Sequence, residues 1–219
     1  MATTLLSSRS YLPSAVQLSA PAKTNDCAVL TALARRRTTR EISAATLPPQ
    51  IISNLLWAAF GINRPADPFG VPGRTAASAS NSQEIDLYVA LKDGTYLYDA
   101  GKHLLQPVVG EDLRSLALTP GQHSVDAEAP LTIIYVADIH RLTATRGYKD
   151  IGLQDPEIQK AYCYVDTGLI AGNVYLYAAA EGLAAWFHNC HKDRLAKVLD
   201  LRSDQRVLFA QSVGYPDGA

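Results

Sequence analysis

At 219 residues the chain suits one domain, large enough to bury most of its apolar surface. Its 20 Lys and Arg nearly balance 21 Asp and Glu, and a net charge of -1 argues against a nucleic-acid binder, which would need a basic face. No apolar run approaches the roughly 18 residues of a membrane span, and residues 1–20 hold Arg9 and scattered Leu without a continuous apolar stretch, so neither a membrane segment nor a secretory leader is expected.

Residues 1–24, rich in Ser, Thr, Ala and Pro, read as an extended N-terminal arm, followed by a single domain over 25–216. Asn25 or Asp26 can cap a helix whose apolar face is Val29, Leu30 and Leu33. A second helix starts at Pro48-Pro49, repeats Ile51, Ile52, Leu55, Leu56 and Ala59 at helical spacing, and stops at Gly61. The pattern makes both helices core-facing. Residues 63–73 read as a Pro- and Gly-rich loop, and 73–84 as a run of small hydrogen-bonding residues. Ile85, Leu87, Val89 and Leu91 alternate with Asp86, Tyr88, Ala90 and Lys92, a half-buried strand that turns at Asp93-Gly94 into a returning strand, 95–98. The nearly continuous apolar run 131–136 predicts a central strand covered on both faces. A short helix follows at 138–150. Asp155-Pro156-Glu157 then opens a long helix to about Glu181, apolar nearly all round and so expected to be the buried axis of the fold. Within it Gly168, Ala171 and Gly172 form a small-residue patch, and Asn173 must find a partner. A strand at 184–188, a helix at 191–199 and a strand at 206–213 complete an α-α-β-β-α-β-α-α-β-α-β order, an α+β fold.

The chemistry centres on Arg35-Arg36-Arg37-Thr38-Thr39-Arg40, where four guanidiniums and two hydroxyls meet at a helix end. Arginine grips phosphate or carboxylate in a planar, two-pronged fashion; the plainer reading is a solvated helix end whose cations favour the dipole. No glycine-rich phosphate loop is present. His188-Asn189-Cys190-His191 offers ligand types, but zinc needs three or four convergent ligands, and no second Cys/His pair stands at ligand spacing. No metal is expected. A Cys190 nucleophile beside His188 or His191 is weak because strand neighbours point to opposite faces. The three cysteines, Cys27, Cys163 and Cys190, are widely spaced and fit a reducing cytoplasm.

The Arg36–Arg40 run, Leu55-Leu56-Trp57-Ala58-Ala59-Phe60-Gly61, Ser78-Ala79-Ser80-Asn81-Ser82-Gln83, the spacing of Gly168, Asn173 and Gly182-Leu183, and the ending Gly214-Tyr215-Pro216 together resemble the nitroreductase family of FMN-dependent oxidoreductases. The resemblance covers roughly residues 28–216, and the Tyr-rich hairpin at 85–98 is closest to the family's SagB-like, azoline-dehydrogenase branch. The Lys–Tyr pair associated with azoline oxidation has no clear match; Lys160 with Tyr162 is the nearest. The resemblance implies a central, mostly antiparallel sheet flanked by helices, with the long buried helix at the interface of a homodimer. It implies that Arg36, Arg37, Thr38 and Arg40 hold the FMN phosphate, ribityl chain and pyrimidine edge. It further implies that Ser78, Ala79, Ser80 and Asn81 reach the flavin from the other subunit, and that Phe187, His188, Asn189 and Cys190 pass over it. The implied activity is electron transfer from NADH or NADPH to a small organic acceptor (nitro, quinone or related) in a ping-pong cycle. A flavoprotein that holds FMN without turnover would share every binding residue, and an α+β domain whose Arg run meets an acidic partner is the third reading.

Overall fold

Seven strands pair antiparallel throughout, in the spatial order β1 (Val16–Gln17), β6 (Leu104–Val109), β5 (Gly94–Asp99), β4 (Ile85–Leu91), β7 (Leu131–Asp138), β9 (Gln205–Gly214) and β8 (Ala184–His188). A separate ribbon pairs β2 (Ile62–Arg64) with β3 (Gly73–Arg74). The computed structural model describes residues 12–20, 29–66, 70–122, 129–145 and 154–218.

The period of two along each strand sorts side chains between two layers. Ile85, Leu87, Val89, Ile133 and Tyr135 point into the larger core, against α2 (Pro49–Phe60) and α4 (Pro156–Ala180). Tyr88, Ala90, Ile134, Val136 and Ala210 point the other way, against Leu195 and Leu199 of and beyond α5 (Lys192–Val198). This explains the unbroken apolar run of β7, which lies between β4 and β9 with a helical layer on each side. It also corrects β4: Tyr88 and Ala90 are buried as well, in a second cluster with Leu113, Ala117, Leu195 and Leu199 on the face expected to meet water.

Local signals set most boundaries. Pro49 sits in the first turn of α2, and the Gly61 amide closes its last turn on Trp57. Asp155 caps α4 by accepting the Glu157 amide at 2.9 Å, with Pro156 in the first turn. Asp138 caps the short α3 (Ile139–Thr143) by accepting the Arg141 amide. The expected end of that segment, 146–150, and the cap of α1 (Val29–Arg35) at Asn25 or Asp26 lie outside the described residues.

Four expectations change. The stretch between β5 and β7, read as helical, carries β6 and then turns; Pro107 obscured the strand, and it is tolerated because β6 is covered on its outer side only at Leu104 and Leu105. The loop expected at 63–73 includes part of the β2–β3 ribbon. In α1 only Ala32 is buried, while Leu30 is 78% exposed, so this helix packs on α4 without burying its apolar face in the core. The long α4 is likewise one-sided: Cys163, Ile170, Val174 and Ala178 are buried, whereas Val165 (58% exposed) and Leu169 face out beside Gly168.

Of the N-terminal arm, residues 16–20 are docked on β6 and α2. Leu18 is buried, and Ser19 and Ala20 carbonyls accept from Ser53 Oγ and Gln50 Nε2 of α2. His103 ties the same point, with Tyr98 Oη donating to Nδ1 at 2.9 Å and Nε2 donating to the Ser19 carbonyl at 3.1 Å.

Candidate functional site

After α1 ends, residues 36–43 run along the outer edge of β8 and the start of the C-terminal segment. The Thr39 amide donates to the Ala185 carbonyl at 3.0 Å, the Ser43 amide to Tyr215 at 2.9 Å, and Ile42 bridges Pro216. Edge strands leave alternate backbone groups free, and this segment takes one of them. Tyr175 of α4 takes the next: its hydroxyl accepts the Phe187 amide at 2.8 Å and lies 3.1 Å from Thr38 Oγ1. Thr38 and Phe187, distant in sequence, thus share one phenol.

Arg35, Arg36, Arg37, Thr39, Tyr175 and Gly182 line a cavity of about 480 Å³. Arg36 stands over the Tyr175 ring, 5.6 Å from its centre, while Arg40 turns to the other side of the edge and stands 5.8 Å over Trp186. Among the described residues none of these guanidiniums forms an ion pair with an acid. The wall is therefore a concentration of uncompensated positive charge facing an open space.

The 78–83 loop lies elsewhere. Ser80, Asn81 and Gln83 all have left-handed backbone (φ of 49, 54 and 52°), a strained state for residues other than glycine. Surrounding bonds hold it. The Ala79 amide donates to Asp166 Oδ2 at 2.8 Å, and the Gln83 amide to Ser78 Oγ at 3.0 Å. Arg74 donates from Nε to Gln83 Oε1 at 2.6 Å and from a terminal nitrogen to the Phe60 carbonyl at 2.9 Å. Glu84 and Asp166 are buried directly behind the loop, with Ser82 Oγ donating to Glu84 Oε2 at 2.6 Å.

Strand alternation divides 187–190. Phe187 faces α4, its ring 4.8 Å from Phe209 and 5.8 Å from Tyr135. His188 points to the opposite face, where Nδ1 donates to the Asn189 carbonyl at 2.8 Å and Nε2 accepts from Ser212 Oγ at 3.1 Å. Burial holds His188 below the ordinary histidine range, in the neutral form. Asn189 is exposed. Cys190 is buried in the α5 layer, and burial pushes its thiol up to about 11, so it is no thiolate nucleophile at neutral pH. Of the four, only Phe187 brings its side chain toward Tyr175 and the α4 face. Among the described residues no three His, Cys, Asp or Glu side chains gather as a metal site, and no helix is long and apolar enough to cross a membrane.

Tyr175, Arg74, Glu84 and Asp166 were not singled out from the sequence. Asp166 alone had a signal: like Asn173, it is a polar residue on an apolar helix and needs a partner. Asn173 finds a weak one in the Ala59 carbonyl at 3.5 Å.

The loop is anchored at Asp166 and the Arg segment at Tyr175, nine residues apart on α4 and so separated by about 13.5 Å along its axis. One chain does not bring them together. Against known proteins, residues 33–215 match the model of the nitroreductase family. A nitroreductase-like protein of Methanocaldococcus jannaschii is 30% identical over 158 residues, covering 69% of this chain and 73% of that protein. A crystal structure of a nitroreductase-like protein from Ralstonia eutropha superposes with a TM-score of 0.81 at 31% identity, covering 94% of this chain and 90% of that one. The NADPH:FMN oxidoreductase of Vibrio harveyi, solved with NAD+, shares the fold at 18% identity and a TM-score of 0.57, over 86% of this chain and 69% of its own. The sheet order, the helical layers and a family match that spans the Arg segment, the 78–83 loop and β8 lead to one assignment: this chain belongs to the nitroreductase family, a family of oxidoreductases.

Proposed function

We propose that the protein is a homodimeric FMN-dependent oxidoreductase, reduced by NADH or NADPH and passing electrons to a small organic acceptor such as a nitro compound or quinone. The observation that carries this reading is the cavity walled by unpaired guanidiniums beside the Tyr175–Phe187 contact. A terminal phosphate suits that wall, because charge-assisted bonds to a dianion are the strong ones. Arg36, Arg37 and Thr38 are the groups to hold the phosphate and ribityl chain; Arg40, which the family motif assigns to the pyrimidine edge, stands instead over Trp186, outside the cavity lining. Arg35, outside the family motif, also lines the cavity and joins them. When bound, FMN would supply the two-electron redox chemistry that links the nicotinamide to the acceptor in the ping-pong order. The chain's own part is electrostatic and positional: fixed guanidiniums favour negative charge at the flavin edge, and Phe187 with Phe209 keeps water from one side. No side chain has to act as acid or base toward the nicotinamide. The free, buried thiols of Cys163 and Cys190 suit a reducing, cytoplasmic setting.

A dimer supplies what one chain lacks. Val165 and Leu169 of α4 and Val29, Leu30 and Leu33 of α1 form exposed apolar surface on adjacent helices. Gly168 and Gly172 lie at the centre of that face of α4, midway between Asp166 and Tyr175, and a Cβ at either would meet nothing. Two copies crossing antiparallel there carry the 78–81 loop of each to the Tyr175 end of the other. The visible spectrum of the purified protein, chromatography of the chromophore released on denaturation, and NADH or NADPH oxidation with a nitroaromatic or quinone test the reading. Released FAD, or no flavin, overturns it; FMN without turnover leaves a flavin carrier.

A further inference from the structure

Behind the 78–83 loop, two acids are buried against each other with no base to balance them. Glu84, at the entrance to β4, is 0% exposed, and Asp166 of α4 is 3% exposed. Among the described residues no Lys, Arg or His pairs with either. The Ala79 amide gives to Asp166 Oδ2 at 2.8 Å, and Ser82 Oγ gives to Glu84 Oε2 at 2.6 Å. The remaining Glu84 oxygen, Oε1, is buried and receives nothing from any described donor, while the two carboxyls are in side-chain contact. Two charged carboxylates cannot share such a place, because desolvation and like charge both oppose the second ionisation. One proton between them gives the unpartnered Glu84 Oε1 a bond to make. Asp166 is the ionised partner, since it already accepts a backbone amide, and Glu84 carries the proton on Oε1 and donates it to Asp166.

We propose that Glu84 and Asp166 are positioning residues that share a single proton, and that this proton fixes the 78–81 loop in the form that reaches the flavin of a second copy. The proposal rests on the loop's place in the flavin site, as read above. Left-handed Ser80 and Asn81, with Gln83 just beyond, make the loop a shape that needs an anchor, and the Ala79–Asp166 bond joins it to the helix that also bears Tyr175. Burial, then the neighbouring Asp166 charge, raise Glu84 to about 8. The other groups around the pair do not compete for the proton there. The Cys163 thiol, from α4, is pushed up to about 12 by burial and by these two acids, and Thr167, also on α4, is neutral. Arg206 of β9 has only a minor influence, on Cys163, and the acids flanking the pair in the sheet are already matched, Asp86 by Arg141 at 2.7 Å and Asp138 by Arg202 at 2.8 Å. Above that pH the second charge appears, the carboxyls separate, and the Ala79 anchor moves with Asp166.

The test compares the full-length protein with Glu84→Gln, whose amide donates to Asp166 and whose oxygen accepts from Ser82 with nothing to titrate. FMN affinity, followed by quenching of flavin fluorescence between pH 6 and 9, is expected to weaken about tenfold in the parent across pH 8 and to stay level in Glu84→Gln. Hydrogen exchange of the 78–83 segment in the flavin-free protein, compared between the two at each pH, reports the anchor without any flavin. The expected result is a parent loop that loosens at pH 9 while the variant's does not. Identical profiles in both measurements overturn the shared proton. If neither protein binds FMN at any pH, the flavin reading falls, and the exchange comparison alone decides for or against the pair.

Discussion

Tyr175 joins more of the candidate site than any arginine, because one hydroxyl serves both Thr38 and the Phe187 amide. Tyr175→Phe leaves that amide without its acceptor, a change worth roughly 1–3 kcal/mol where the group is buried. The expected outcome is a folded protein with FMN affinity reduced about tenfold, read by fluorescence titration. The guanidiniums are separable by position. Arg36→Ala and Arg37→Ala each remove a wall of the cavity and should weaken FMN by about tenfold or more, since a charge-assisted bond contributes roughly 1.5–3 kcal/mol. Arg40→Ala, whose guanidinium lies over Trp186 and outside the cavity lining, should cost less than either. Equilibrium dialysis that finds parental affinity in both Arg36→Ala and Arg37→Ala makes the run a solvated helix end. The arginines were legible in the sequence because four of them stand within six positions. Tyr175 and Glu84 were not, and Asp166 showed only as a polar residue on an apolar helix, because their roles come from what each side chain meets after folding.

At the scale of elements, local chemistry gave α2, α4, the β4–β5 hairpin, β7, β8, α5 and β9 nearly to the residue, since proline, capping acids and period-two alternation act within a few positions. The apolar face of α1 was misassigned to the core, and part of the α4 face points outward, because an exposed apolar stripe carries the same helical periodicity as one that meets the sheet. That ambiguity makes a prediction. Leu169→Asp places a charge at the centre of the proposed contact and touches little of the monomer core. The parent should sediment at twice the 23.6 kDa of one chain, and Leu169→Asp near one chain with weakened FMN binding. A parent that remains a single chain at micromolar concentration with flavin bound contradicts the arrangement.

For the molecule as a whole, buried titratable groups shape stability against pH. Glu84 holds its proton in the fold up to about 8 but only to about 4.5 as an ordinary carboxyl, so the folded state binds the extra proton and stability falls as pH rises through that window. His103 and His188 are held below the ordinary histidine value of 6.5 by burial, so their contribution is present above 6.5 and is lost as pH falls. The two effects oppose each other below 6.5, whereas between about 6.5 and 8 Glu84 acts without them. Melting temperature should therefore decline over that upper range in the parent and flatten in Glu84→Gln; scanning calorimetry that finds equal slopes contradicts the assignment. The docking of residues 16–18 on β6 has a consequence of a different kind. An unpaired, apolar sheet edge is a template for another chain, and proteins that persist in concentrated solution keep such edges short, charged or covered. Here one edge, β8, is covered by residues 36–43, and the other is closed at Leu104 and Leu105 by β1, beyond which Pro107 removes a donor. Deleting residues 1–18 should spare the spectrum and the turnover of freshly prepared protein. It should also shorten its life in solution, with light scattering rising as β6 edges of separate molecules find each other.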